Sequence, residues 1–96
     1  MTIGILKLTI HAPWVHSLKE KRMEIKKILK RTENQFHISV AEVDFQDVHQ
    51  KMGLGMVFIA GDNRMADSMT DNILSFVEGL TEAEIVDVER QVQNGV

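Results

Sequence analysis

The side chains most able to do chemistry lie in one basic stretch and one polar cluster. Lys19, Arg22, Lys26 and Lys30 recur at spacings of 3, 4 and 4. On a helix this puts them within about 80° of one another, along a ridge about 16 Å long. Four cations in a row repel unless something anionic lies across them. Phosphate backbone suits such a ridge, because each neutralised phosphate releases condensed counterions. Contact of this kind follows shape and charge and reads no base sequence. The competing readings are a solvated helix face that keeps a small protein soluble, and a ridge that meets an acidic protein surface. On the other flank Glu20 and Glu24 mix with Lys27 and Arg31, so that side is partly neutralised. Lys21 projects near the apolar stripe of the same helix, where its stem can cover apolar surface.

Glu42, Asp44, Asp47 and His49 put oxygen and nitrogen ligands within eight residues. A hard cation or an Asp–His acid/base pair is conceivable there. The spacing matches no established ligand set, and loop hydrogen bonds explain Asp44 and Asp47 as well. No metal site and no catalytic residue is therefore assigned. His11, His16 and His37 are scattered, and Ser17 is explained by a capping role. Gly53-x-Gly55 is too short to cradle a phosphate, and no cofactor is expected. Met52, Met56, Met65 and Met69 read as core gap-fillers rather than as a binding groove.

These residues need elements to position them. Ile3 to His11 alternates as a strand, with Leu6, Leu8 and Ile10 on one face and Ile3 and Ile5 on the other. Ala12-Pro13-Trp14 stops it. Ser17-Leu18-Lys19-Glu20 is a capping box that opens a helix from Leu18 to about Glu33. Leu18, Ile25, Ile28, Leu29 and Thr32 form its inward stripe. A second strand is expected over Phe36 to Phe45, then a polar loop or short irregular extension over Gln46 to Leu54. Gly55 to Ala60 reads as a third strand. Asp62 or Asn63 caps a second helix carrying Met65, Met69, Ile73, Phe76, Val77 and Leu80 at helical spacing, with Gly79 as its C-cap. Ala83 to Val92 is a final edge strand, and residues 93–96 form a loose tail.

The order strand–helix–strand–strand–helix–strand is that of a ferredoxin-like α+β fold: a four-stranded antiparallel sheet with two helices on one face, as a single domain over residues 1–92. One sheet face is then open, and Ile3 and Ile5 make it apolar. An open apolar face motivates a homodimer or a docking partner. The alternative is that Ile3 and Ile5 sit near a rim beside the Ala12–His16 loop. Base stacking on the sheet is disfavoured, because Gly55 to Ala60 lacks the aromatic pattern of an RNA-recognition motif.

Ninety-six residues can bury one layer between a sheet and its helices, and no cysteine is present to form a disulfide or a thiolate site. No apolar run nears the roughly 20 residues of a membrane span. The N-terminus lacks a signal-peptide pattern, so a cytoplasmic protein is expected. The net charge of −3 hides an asymmetry: residues 1–61 hold nine basic and six acidic side chains, and residues 62–96 hold two and eight. Seven of those nine cations fall between Lys19 and Arg31.

Ser17-Leu18-Lys19-Glu20-Lys21-Arg22 before a basic helix resembles the signature of the YlxP-like bacterial family of unknown function. Ser39-Val40-Ala41-Glu42-Val43-Asp44, with Gln46-Asp47 and Gln50-Lys51, is similar to its second block. Leu54-Gly55 and Glu84-Ile85-Val86-Asp87-Val88-Glu89 extend the likeness to about residues 1–92. Phe45 departs from the pattern, standing where many relatives carry a polar residue such as histidine, which weakens any metal role for that block. The resemblance implies a small ferredoxin-like cytoplasmic protein with no established activity, from genes often found among those of translation initiation and ribosome maturation. Two expectations follow. The first is a non-catalytic protein that contacts structured RNA or a ribosomal particle through Lys19, Arg22, Lys26 and Lys30. The second is a homodimeric structural or regulatory module, with no nucleic-acid role, that uses its open sheet face.

Overall fold

Alternation in the first strand sets the layering. The computed structural model describes every residue, Met1–Val96. Strand β1 (Thr2–His11) buries Leu6, Leu8 and Ile10 completely, while Ile3, Ile5 and Lys7 point to the opposite face and stay half-buried. Helix α1 (Leu18–Phe36), strands β2 (Ser39–Asp44) and β3 (Lys51–Ala60), helix α2 (Asn63–Leu80) and strand β4 (Glu84–Gln93) follow in that order. The sheet order is β2-β3-β1-β4, and every neighbouring pair is antiparallel. This is the ferredoxin-like α+β arrangement expected from the element order.

Both helices cover one sheet face. Ile25 and Ile28 of α1, and Ala66, Ile73 and Val77 of α2, meet Leu6, Leu8 and Ile10 of β1 and Met52, Leu54, Met56 and Phe58 of β3 in one core. Each fully buried leucine or isoleucine contributes about 1.5–3 kcal/mol against the entropy of ordering the chain. The ring of Phe36 meets that of Phe76 edge-on, at 5.4 Å and 89°, and ties the two helices together.

Several boundaries differ from those the sequence predicts. Helix α1 runs past Asn34 and Gln35 to Phe36, because the Phe36–Phe76 contact rewards another turn. It stops at His37, which is left-handed (φ 54) and donates its N–H to the Glu33 carbonyl. Strand β2 is correspondingly shorter at its start. Strand β3 begins at Lys51 rather than Gly55, pairing with β1 along its whole length. Met52 and Leu54 continue the alternation of Met56 and Phe58, but Gly53 and Gly55, poor strand formers, stand between them and masked that part of the strand. Gly79 lies inside the last turn of α2, and the cap is Thr81, whose N–H reaches the Val77 carbonyl at 3.2 Å. Met65 is 53% exposed and is no core gap-filler. After β4, the Thr2 hydroxyl donates to Asn94 Oδ1 at 2.9 Å, and the Met1 amino group donates to the Val96 carbonyl.

Candidate nucleic-acid interface

Helix α1 is placed by its cap and by its inward stripe. Ser17 is the N-cap, extended in backbone, and its hydroxyl accepts the Glu20 N–H at 3.1 Å. The buried stripe is Lys21, Ile25, Ile28 and Thr32. With that face pinned to the sheet, Lys19, Arg22, Lys26 and Lys30 are all turned to solvent. No carboxylate of the protein lies within ion-pair distance of any of them, whereas Lys7, Lys21, Lys27 and Arg90 are each held by the chain's own acids. Lys27 sits 3.1 Å from Glu24, which also accepts the Thr81 hydroxyl at 2.7 Å.

Arg22, Lys26 and Lys30 line a groove of about 530 Å³ between α1 and the edge strand β2, floored by Ile25, Leu29 and Val40. Glu33 and Glu42 complete its wall, a feature the cation spacing alone did not reveal. Lys19 lies outside this groove, at the N-terminal end of the ridge. Arg31 is a further exposed cation of α1 with no carboxylate partner.

Lys21 has a separate role. It is 1% exposed, its Nζ donates to the Phe45 carbonyl, and it stands 3.4 Å from Glu42 Oε2. Phe45 is left-handed (φ 60), so its carbonyl turns inward, where it also accepts the Val48 N–H at 3.0 Å. The signal was present in the sequence: Lys21 continues the spacing of Leu18, Ile25, Ile28 and Thr32, and a cation inside an apolar stripe needs a buried partner.

The Glu42–His49 cluster does not converge. Glu42 turns inward to Lys21. Asp44 turns outward, because the register slips between Glu42 and Asp44 and leaves Val43 as an extra residue. Asp47 and His49 are exposed in the β2–β3 loop. No three histidine or acidic side chains anywhere come together in a group able to hold a metal.

On the open face, Lys7 reaches across β3 to Asp44 Oδ2 at 2.9 Å and lies 3.9 Å from Glu89 Oε2 on its other side. Gly53 and Gly55 clear the way: a Cβ at Gly53 would lie 2.5 Å from that of Asp44, and one at Gly55 would lie 2.9 Å from a Val43 methyl. The hydrogen bond from Lys7, followed by the Phe45 N–H, holds the Asp44 carboxyl below its usual range, and the bond to Asp44 raises Lys7. Lys51 lies 4.6 Å from the centre of the Phe45 ring. Phe58 is buried under the helices and offers no ring on the open face.

Comparison with known proteins agrees with this frame. The model of a family described as "Protein of unknown function (DUF503)" matches residues 3–90. The chain is 32% identical over 68 residues to the uncharacterized protein YlxP of Bacillus subtilis (strain 168), an alignment covering 71% of this chain and 74% of YlxP. Among solved structures, a structural-genomics protein, YJCS, superposes with a TM-score of 0.56 at 13% identity, over 96% of this chain and 99% of the other. The de novo designed protein Foldit4 gives 0.51 at 13% identity, over 99% and 98%. At that identity the two structures share the fold alone. No helix is long and apolar enough to cross a membrane.

Proposed function

The chain belongs to the DUF503 family of proteins of unknown function, and on that premise we propose that it is a non-catalytic binding protein that lays the basic ridge of α1 on structured RNA. One observation carries the reading: Lys19, Arg22, Lys26 and Lys30 stand in line on the solvent side of α1, and no acid of the chain neutralises them. Of the other cations, Lys7, Lys21, Lys27 and Arg90 are paired with the chain's own acids and Arg31, Lys51 and Arg64 are not, so what sets the ridge apart is that four free cations stand in one line on one helix. The groove beside the ridge gives a backbone room to lie along α1. The absence of exposed aromatics from the central strands supports grip through phosphates rather than readout by stacking. A cytoplasmic role on a ribosomal particle fits this chemistry.

The test is fluorescence anisotropy with structured ribosomal RNA fragments across a salt series. Four phosphate contacts predict that log affinity falls against log salt with a slope of about −3. Reversing two charges, Arg22→Glu with Lys26→Glu, is expected to abolish binding at physiological salt and to flatten the residual slope. Affinity that survives the double reversal, or that ignores salt, rules the ridge out.

A further inference from the structure

We propose that two copies of this chain associate through the uncovered sheet face, using the half of that face that carries no charge. The strand register divides the face. Toward one end, Lys7 pairs across to Glu89, Thr9 to Asp87 and His11 to both Lys51 and Glu84. Toward the other end, Ser39, Val57, Ile5 and Gln91 form one row, and Ile59, Ile3 and Gln93 form the next. No acid or base occurs in these two rows, in a chain where 26% of residues are charged. Val57 is 45% exposed and Ile59 is 68% exposed, a cost that a partner covering them removes.

The occupant follows from charge and shape. A surface without charge selects neither a basic nor an acidic partner; it fits another uncharged apolar surface. The chain offers one on itself. Its helices and both flanks of the sheet are studded with charge, so two copies of a molecule of net charge −3 meet with least repulsion here. The same surface also holds both a hollow and a projection. Ile5, Lys7, Ala41, Val43, Gly55 and Val57 line a depression of about 360 Å³ at the boundary with the charged half, open because Gly55 has no side chain, and the one charge at its rim, on Lys7, is met by Asp44. Ile59 stands out beside it. A two-fold axis lets the projection of each copy address the hollow of the other, the self-complementary arrangement that a symmetric dimer requires. The ion pairs of Lys7 with Asp44 and Glu89 close the patch on its charged side and leave the charged halves outside the overlap. The helices lie on the far sides, so the dimer displays two basic ridges facing away from each other.

Sedimentation velocity of the full-length protein over a wide concentration range tests this. The wild-type chain is expected at twice its 10.9 kDa monomer mass. Val57→Lys and Ile59→Lys place two cations at each interface and are expected to raise the dissociation constant by more than about 100-fold, with circular dichroism and melting unchanged. The Arg22→Glu/Lys26→Glu protein keeps the dimer mass, so loss of RNA binding and loss of dimerisation are read separately. Should Val57→Lys fail to fold, Ile59→Lys, at the more exposed of the two positions, decides the matter. A wild-type protein that stays at 10.9 kDa to millimolar concentration, or lysine variants that dimerise as the wild type does, overturns the proposal.

Discussion

A lysine with 1% of its surface exposed persists only where its charge is met, and Lys21 is met twice: by the Phe45 carbonyl and by Glu42 at 3.4 Å. Glu42 Oε2 is itself shielded from water and has no hydrogen-bond donor, so this cation is what offsets its burial. Lys21→Met strands that carboxylate and leaves the Phe45 carbonyl with the Val48 N–H alone, and is expected to cost about 3 kcal/mol in urea unfolding. Glu42→Gln added to it should recover part of the loss, because the stranded charge is gone. Asp44 makes a prediction about pH. Its carboxyl is held below 3.8, first by the Lys7 hydrogen bond, so its stabilising effect is complete well above that value and is lost as pH falls through the lowered folded-state pKa. Lys7 is raised above 10.5, so its share is complete below that value and is lost as pH rises through the raised one. Asp44→Asn should therefore lower the urea midpoint near neutral pH, and its difference from wild type should close at strongly acid and strongly alkaline pH. A constant difference across the range would mean that the carboxylate charge is not what matters.

The elements divide the work by face. One face of α1 packs, one flank balances its charges internally through Glu24 and Lys27, and the ridge is left to solvent. That division was legible in the spacing, because helical period and cap chemistry are local properties. Strand β3 was half-hidden. Its core residues Met52 and Leu54 alternate with Gly53 and Gly55, and glycine carries no sign of the face it occupies. What those glycines do appears only across strands: their missing side chains let Lys7 of β1 touch Asp44 of β2. Gly53→Ala would set its Cβ 2.5 Å from that of Asp44, forcing β2 away. It is expected to cost about 2 kcal/mol and, in a spectrum of the lysine ammonium groups, to release Lys7 from its partner. An alanine variant as stable as wild type would show that β2 yields without loss.

At the scale of the molecule, the charge asymmetry along the chain becomes an asymmetry in space. Helix α1 packs beside β2 at one edge of the sheet, and the acid-rich β4 forms the other edge. The protein is thus basic on one side and acidic on the other despite its net charge of −3, which orients it as it approaches a polyanion. The uncovered face is perpendicular to that division and lies opposite the helices. Ridge and apolar face are therefore separate surfaces, and a dimer formed through the second multiplies the first. Two ridges on one particle raise apparent affinity when an RNA can reach both, so disrupting the dimer should weaken binding to long RNA more than to short fragments.

The amino-acid order by itself determined which elements form, their succession, the inward stripes and the four aligned cations, because periodicity and capping depend on neighbours only a few residues away. It also carried the family resemblance that the match to DUF503 bears out. The tertiary structure alone decided that Lys21 is a buried tie, that a one-residue slip turns Asp44 away from Glu42, and that Gly53 and Gly55 open a path for Lys7. Each of these depends on residues brought together from distant parts of the chain, and on a register that no local pattern encodes.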